Sequence, residues 1–361
     1  MAIKVVSDKQ LLLTAPGKHV FYKKGALFIA EMLDGPHRFL CRIPQSKRNS
    51  ILSRICLTER MLRLMPRAAA WIDADSFLFA HKGAIYRVEL QTGRIEREHT
   101  LLPGMSAPLS FTQVNNVADF DDGIVYGNYV GERNADISVW HRSKDGVWKN
   151  LFRFPQGSVL HIHQIVSDPE QGRLLILTGD ADNEAGIWEA RDNFRTVTPV
   201  LLGSQQYRSC FAFLKGSSIF YATDTPLERN YLYEYNPETE KTAMLCELPG
   251  PVIYGAVISN SEADNYLLAT SVEPDSRKHG IRYLLSYKRG EGVLSPYSCL
   301  FYGNPETGFR QVARFKKDIL PMALFQFGNA LFPSGKLDRI YACPQSVWKY
   351  HGKTIEIEGV L

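Results

Sequence analysis

The sequence predicts an all-β chain built as a β-propeller of four-stranded blades. Three observations carry that expectation. Short apolar runs of about five to eight residues alternate with Gly, Asp, Asn and Pro clusters, amphipathic helical periodicity is scarce, and a four-run unit recurs at intervals of 40–50 residues. Seventeen Tyr and nineteen Phe suit the preference of aromatic side chains for pleated, half-buried surfaces.

The repeat is clearest in the middle of the chain. Residues 160–166, 173–180, 186–188 and 196–202 read as four strands joined by turns, with Ser167–Gly172 as the first turn. Residues 210–214, 217–224, 230–233 and 242–248 repeat the layout. A third copy runs through 252–258, 266–273 and 281–287, followed by a longer fourth part. The acids closing the second run of each copy, Asp180, Asp224 and Glu273, are 44 and 49 residues apart. Extended in both directions, the pattern gives one domain over residues 1–361, with blades at 8–66, 67–105, 106–156, 157–204, 205–250, 251–316 and 317–361. Seven blades are expected, or six if the N-terminal strands complete the last one. Ring closure of this kind removes exposed sheet edges.

Composition narrows the function. Hydrophobic residues make up 45% of the 361 positions, charged residues 22%, and the formal charge is +4. Basic residues are scattered rather than gathered in a stripe, which argues against a nucleic-acid partner and leaves an anionic small molecule or polysaccharide open. No run approaches the roughly 18 apolar residues of a membrane span. The N-terminus lacks an apolar signal core, so a cytoplasmic location is expected. Six well-separated cysteines without a C-x-x-C pair read as small buried hydrophobes. Phosphate-loop, nucleophile-elbow and H-E-x-x-H patterns are absent from the sequence.

Propeller geometry converts the repeat into a candidate site. Loops after the second strand of successive blades lie on one rim, so Asp180, Asp224 and Glu273 should converge there. They suit acid–base work, a cation or sugar hydroxyls; a strand-end Asp also serves its own turn. His161 and His163 are two apart on one strand and should share a face, suited to proton transfer, to holding a metal, or simply to lining a channel. Two imidazoles alone do not define a metal centre, and no metal or cofactor is assigned; a metal would require a further His or carboxylate within reach. Residues 203–208 lead into the next innermost strand and should bring Gln206, Tyr207 and Arg208 to the same mouth. Arg208 offers a planar fork for a carboxylate or phosphate, or for a neighbouring acid. Tyr254 and Gln326 are further candidates from later innermost strands. Ser143, Asp145, Gly146 and Trp148 read as a hairpin turn with a packed tryptophan.

These residues together bear a family likeness. Trp140, Ser143, Asp145 and Trp148, then His161-x-His163, Asp168-Pro169, Thr178-Gly179-Asp180 and the 203–208 segment, resemble the sialidase-like (BNR/Asp-box) propellers, particularly members from bacterial surface-polysaccharide gene clusters. Ala222–Asp224, Thr270–Glu273 and Gln326–Gly328 fit the same pattern, so the resemblance spans residues 123–335. It implies a mouth that handles an acidic glycan or glycoconjugate. Arg208 and Arg282 supply two of the three arginines of a sialidase; a third, and a Tyr–Glu nucleophile pair, are not identifiable. The expected activity is hydrolysis or lyase-type elimination, with His161 or His163 moving the proton, Asp180 and Tyr207 assisting, and Arg208, Gln206, Asp224, Tyr254, Glu273 and Gln326 binding substrate. The alternative is a non-catalytic glycan-binding or scaffold propeller. Neither the oligomeric state nor the exact substrate follows from the sequence.

Overall fold

Strand Ala2–Ser7 comes first along the chain yet completes the last blade: it pairs antiparallel with Thr354–Glu358, Ala2 opposite Glu358 and Ile3 opposite Ile357. That pairing closes a ring of seven four-stranded antiparallel sheets in the computed structural model, which describes residues 2–259 and 264–360. The N-terminal strand does complete the last blade, but residues 10–42 supply four further strands of their own, so the count is seven and not six.

Within each of the first six blades the strands follow chain order from the channel outward. Blade four runs His161–Asp168, Arg173–Gly179, Gly186–Arg191 and Thr196–Leu202; blade five runs Ser209–Lys215, Ser218–Thr223, Asn230–Asn236 and Lys241–Leu248. Second strands are covered on both faces by neighbouring blades, so Arg173–Gly179 and Ser76–His81 are buried at every position. Outermost strands such as Thr196–Leu202 alternate with solvent. The core is therefore a set of apolar layers between blades, for example Leu175, Leu177, Ala212, Ile219 and Tyr221 between blades four and five.

One strand differs from expectation. Residues 281–287 are not the third strand of blade six; Gly280–Leu284 is a short helix within a long excursion, and the third and fourth strands are Tyr297–Asn304 and Gly308–Lys316. The apolar run Ile281, Leu284, Leu285 and Tyr287 is largely exposed. The hairpin expected at Ser143–Trp148 is present: Gly146 takes a φ of 84° and donates to Ser143 O at 2.9 Å, and Trp148 stacks on His99. Among the described residues, no helix is long and apolar enough to cross a membrane.

Two additions cap one rim. The connector from blade one to blade two carries helices Lys47–Leu52 and Cys56–Met61, the first capped by Ser46. It is pinned to blade one where Tyr22 Oη donates to Glu59 Oε1 at 2.5 Å. It is pinned to the segment before blade seven where Arg60 donates twice to Phe325 O and pairs with Asp318 at 2.7 Å. The blade-six excursion rests against the blade-five loop: Gly292 N donates to Pro226 O at 3.0 Å, and a Cβ on Gly292 would stand 1.8 Å from Glu228 O.

Candidate functional site

Bulges prepare the mouth. The first strand of blade four pairs Ile162 with Thr178 and Gln164 with Leu177, leaving His163 as an extra residue; Cys210 is the extra residue in blade five, and the register of blade six slips between Val252 and Tyr254. Such insertions locally bend a strand and re-aim a side chain. Here they turn the two histidines toward each other, rings 4.8 Å apart at 45°.

Each imidazole is held on both sides. His161 Nδ1 lies 2.8 Å from Val130 O and His163 Nδ1 lies 2.8 Å from Ser209 O. A carbonyl only accepts, so both Nδ1 atoms carry hydrogen. The two Nε2 atoms meet at 2.9 Å, and Asp180 Oδ1 stands 3.4 Å from His161 Nε2 and 3.3 Å from His163 Nε2. Both histidines are buried, and Asp180 is half-exposed. Gly179, opposite His161 in the ladder, leaves room for the arrangement: a Cβ there would come within 2.9 Å of His163 Cε1.

Arg208 closes the cluster. Its Nη2 is 3.1 Å from Asp180 Oδ1 and 3.5 Å from Asp224 Oδ2, so it does reach the acids expected beside it. Burial alone would raise the Asp180 carboxyl, but its contacts with both histidines and the Arg208 charge hold it well below the usual range. Asp224 behaves oppositely: burial raises it against the pull of Arg208 and His163, and it accepts from the Cys210 thiol at 3.2 Å. Burial and the charge of Asp224 push Glu273 up to about 8, although Ser271 donates to it. Arg208 Nε and Asp224 Oδ1 are buried without hydrogen-bond partners among the described residues, the kind of unspent polarity that marks a working site.

Three side chains that the sequence did not single out complete the mouth. Tyr129, just after the second strand of blade three, lies against His161 with ring centroids 4.4 Å apart. Arg67, from the end of the helical connector, is half-buried, and its charge is felt at Tyr254, Tyr129 and Cys210, on three different blades. Arg63, four residues earlier, repels it. Among the described residues no carboxylate lies within ion-pairing distance of Arg67. Only the basic spacing Arg60, Arg63, Arg67 hinted at them, and nothing in a non-repeating connector says that it folds over the channel.

The remaining expected residues divide. Tyr254 is at the mouth, its phenol raised by burial and by the charge of Glu273 and pulled down by that of Arg67. Tyr207 packs into the apolar layer between blades four and five rather than beside the histidines. Gln206 sits with it in the single turn Gln205–Tyr207, while Gln205 donates to Asp180 O and Asp182 Oδ1. Gln326 adopts a left-handed backbone, φ 71°, beside Phe325, and no described hydrogen bond ties it to the His–Asp cluster. A pocket of about 250 Å³ opens next to the cluster, lined by Asp180, Gln205, Arg208, Pro226, Glu228 and Ser276 among others.

The chain superposes over nearly its whole length on known propellers. With the oligogalacturonate lyase of Vibrio parahaemolyticus the TM-score is 0.61 at 10% identity, covering 99% of this chain and 94% of that one. With an oligogalacturonate lyase solved in complex with manganese it is 0.52 at 11% identity, covering 96% and 87%. A chain of the mitotic checkpoint complex matches as well, at 0.53 and 9% identity over 97% and 87%. The likeness is one of fold. No family model and no curated protein matches the sequence, so the sialidase-like resemblance gains no family behind it.

Proposed function

We propose that this mouth binds an acidic oligosaccharide, a uronate chain, and cleaves it by elimination. The observation that carries the reading is Arg67: a guanidinium that interacts with Tyr129, Cys210 and Tyr254 on three blades, next to the like charge of Arg63 and without a carboxylate partner among the described residues. A planar fork in that setting suits a ligand carboxylate. The full-length likeness to two oligogalacturonate lyases, proteins named for a galacturonate substrate, supports the same ligand class.

Elimination beside a uronate carboxylate breaks the C5–H bond, forms the C4–C5 double bond and expels the oxygen on C4. Negative charge builds on the carboxylate as the proton leaves. Arg67 would neutralise it, and so would positive charge at the His161–His163–Asp180 focus, since electrostatic stabilisation of this kind is the larger part of such catalysis. The two Nε2 atoms face each other and Asp180 rather than the pocket, which suits holding a positive charge better than accepting the substrate proton. Burial pushes the phenols of Tyr129 and Tyr254 up, and the Arg67 charge works against that at each; one of them, as the phenolate, would take the C5 proton and return it to the departing C4 oxygen.

The test is to incubate the protein with polygalacturonate and other uronate oligomers and follow the ultraviolet absorbance of the unsaturated product. Arg67→Gln should weaken binding by about 10–100-fold. Of Tyr129→Phe and Tyr254→Phe, the one replacing the proton acceptor should lose turnover with little change in KM. No unsaturated product from any uronate polymer would sink the proposal.

A further inference from the structure

The same focus has a property independent of what the mouth binds. We infer that His161 Nε2, His163 Nε2 and Asp180 Oδ1 form a site for a divalent first-row transition-metal ion. Both Nδ1 atoms are committed as donors to Val130 O and Ser209 O, which fixes both tautomers and leaves both Nε2 lone pairs directed inward. A backbone carbonyl on the far ring nitrogen is the usual partner of a metal-bound imidazole. Three electron-pair donors then converge, separated by 2.9, 3.3 and 3.4 Å. Ligands bound at about 2.0–2.2 Å in cis or tetrahedral positions stand roughly 2.8–3.6 Å from each other, so one ion fits all three approaches.

A proton is the competing occupant. A single proton on one Nε2 satisfies the His–His contact or a contact to Asp180, whereas a metal ion satisfies every pair at once. Two imidazoles and one carboxylate suit manganese through zinc and disfavour calcium or magnesium, which prefer oxygen alone. Arg208 shares Asp180 Oδ1, and Asp224 at 3.5 Å gives it an alternative acceptor when an ion takes that oxygen. Asp180 and Arg208 line the pocket, which brings one edge of the site within reach of water or an anionic oxygen. A second candidate group, His163, Cys210 and Asp224, shares its only uncommitted histidine nitrogen with the first and holds its thiol as a donor to Asp224.

The experiment strips the full chain with a chelator, returns Mn²⁺ or Zn²⁺, and reads stoichiometry by calorimetry and the loss of the free Mn²⁺ paramagnetic signal. One ion per chain is expected, together with a raised melting temperature. Asp180→Asn keeps side-chain shape at a half-exposed position, and His163→Gln keeps a polar side chain. Each should weaken binding by more than about 100-fold, beyond the 10–100-fold of a change at an outer partner. Arg208→Gln, which removes a repelling charge, should bind as tightly as the parent or more so. A folded parent chain that takes up neither metal overturns the inference, and so does uptake undiminished in both Asp180→Asn and His163→Gln. Metal uptake without cleavage of any uronate would leave this site standing and remove the elimination reading alone.

Discussion

Gly179 holds the site open by what it lacks. Its backbone is ordinary strand, so alanine is tolerated by the chain, but the added methyl would press on His163 Cε1 at 2.9 Å and contact Arg208 Cγ at 3.4 Å. Gly179→Ala should therefore leave the melting temperature within a few degrees of the parent while cutting activity or metal affinity about tenfold or more, because a displacement well under 1 Å at a reacting group is costly. Unchanged function in that variant would show that the His163 position is not critical. At this scale the sequence was partly legible. The pair His161 and His163, the acids Asp180, Asp224 and Glu273, and Arg208 are visible from strand period and blade spacing, and they do lie together. The bulge at His163, the Val130 and Ser209 carbonyls that fix the tautomers, and the burial of Tyr207 depend on register and packing, which alternate apolar positions do not encode.

At the scale of elements, the helical connector and the blade-six excursion were the least legible parts, because neither obeys the repeat. The excursion carries an apolar run that imitates a strand, and only contacts such as Gly292 against Glu228 O give it its place. The connector is fixed by a buried acid. Burial raises Glu59 from 4.5 to about 7, against the hydrogen bond from Tyr22 that lowers it. A carboxyl with a raised folded-state value holds its proton more tightly in the folded chain. Its contribution is thus complete below about pH 4.5 and lost as pH rises through about 7. Stability should fall by roughly 1–3 kcal/mol between pH 5 and 8 from this group alone. In Glu59→Gln, which still accepts from Tyr22, that slope should vanish and stability at pH 8 should match or exceed the parent. Denaturant melts at the two pH values decide it; equal slopes in both chains would place the charge of Glu59 in water rather than under the connector.

For the whole molecule the question is how the ring stays shut. The seam between blades seven and one is closed by Ala2–Ser7 on Thr354–Glu358, with Ile355 and Ile357 buried beneath. It is also stitched where Thr14 N donates to Ser334 O at 2.9 Å, and bridged from the other rim by Arg60 on Phe325 O and Asp318. Deleting residues 2–7 exposes an unpaired edge, which invites self-association, and removes one of three ties. The ring should persist, with a melting temperature lower by on the order of 10 °C and more aggregation at high concentration. Arg60→Ala alone breaks a buried ion pair and two hydrogen bonds, leaving Asp318 with Lys317 as its remaining cation. If the ties act on one seam, the two changes are coupled: with the strand gone, the connector carries the closure, and the double variant should lose more than the sum of the single losses. Additive losses would mean that the connector secures only its own helices. Separated in that way, the strand would govern ring closure and the connector only the placement of Arg63 and Arg67 over the mouth, so Arg60→Ala would weaken ligand binding while lowering the melting temperature only by the loss of its own contacts.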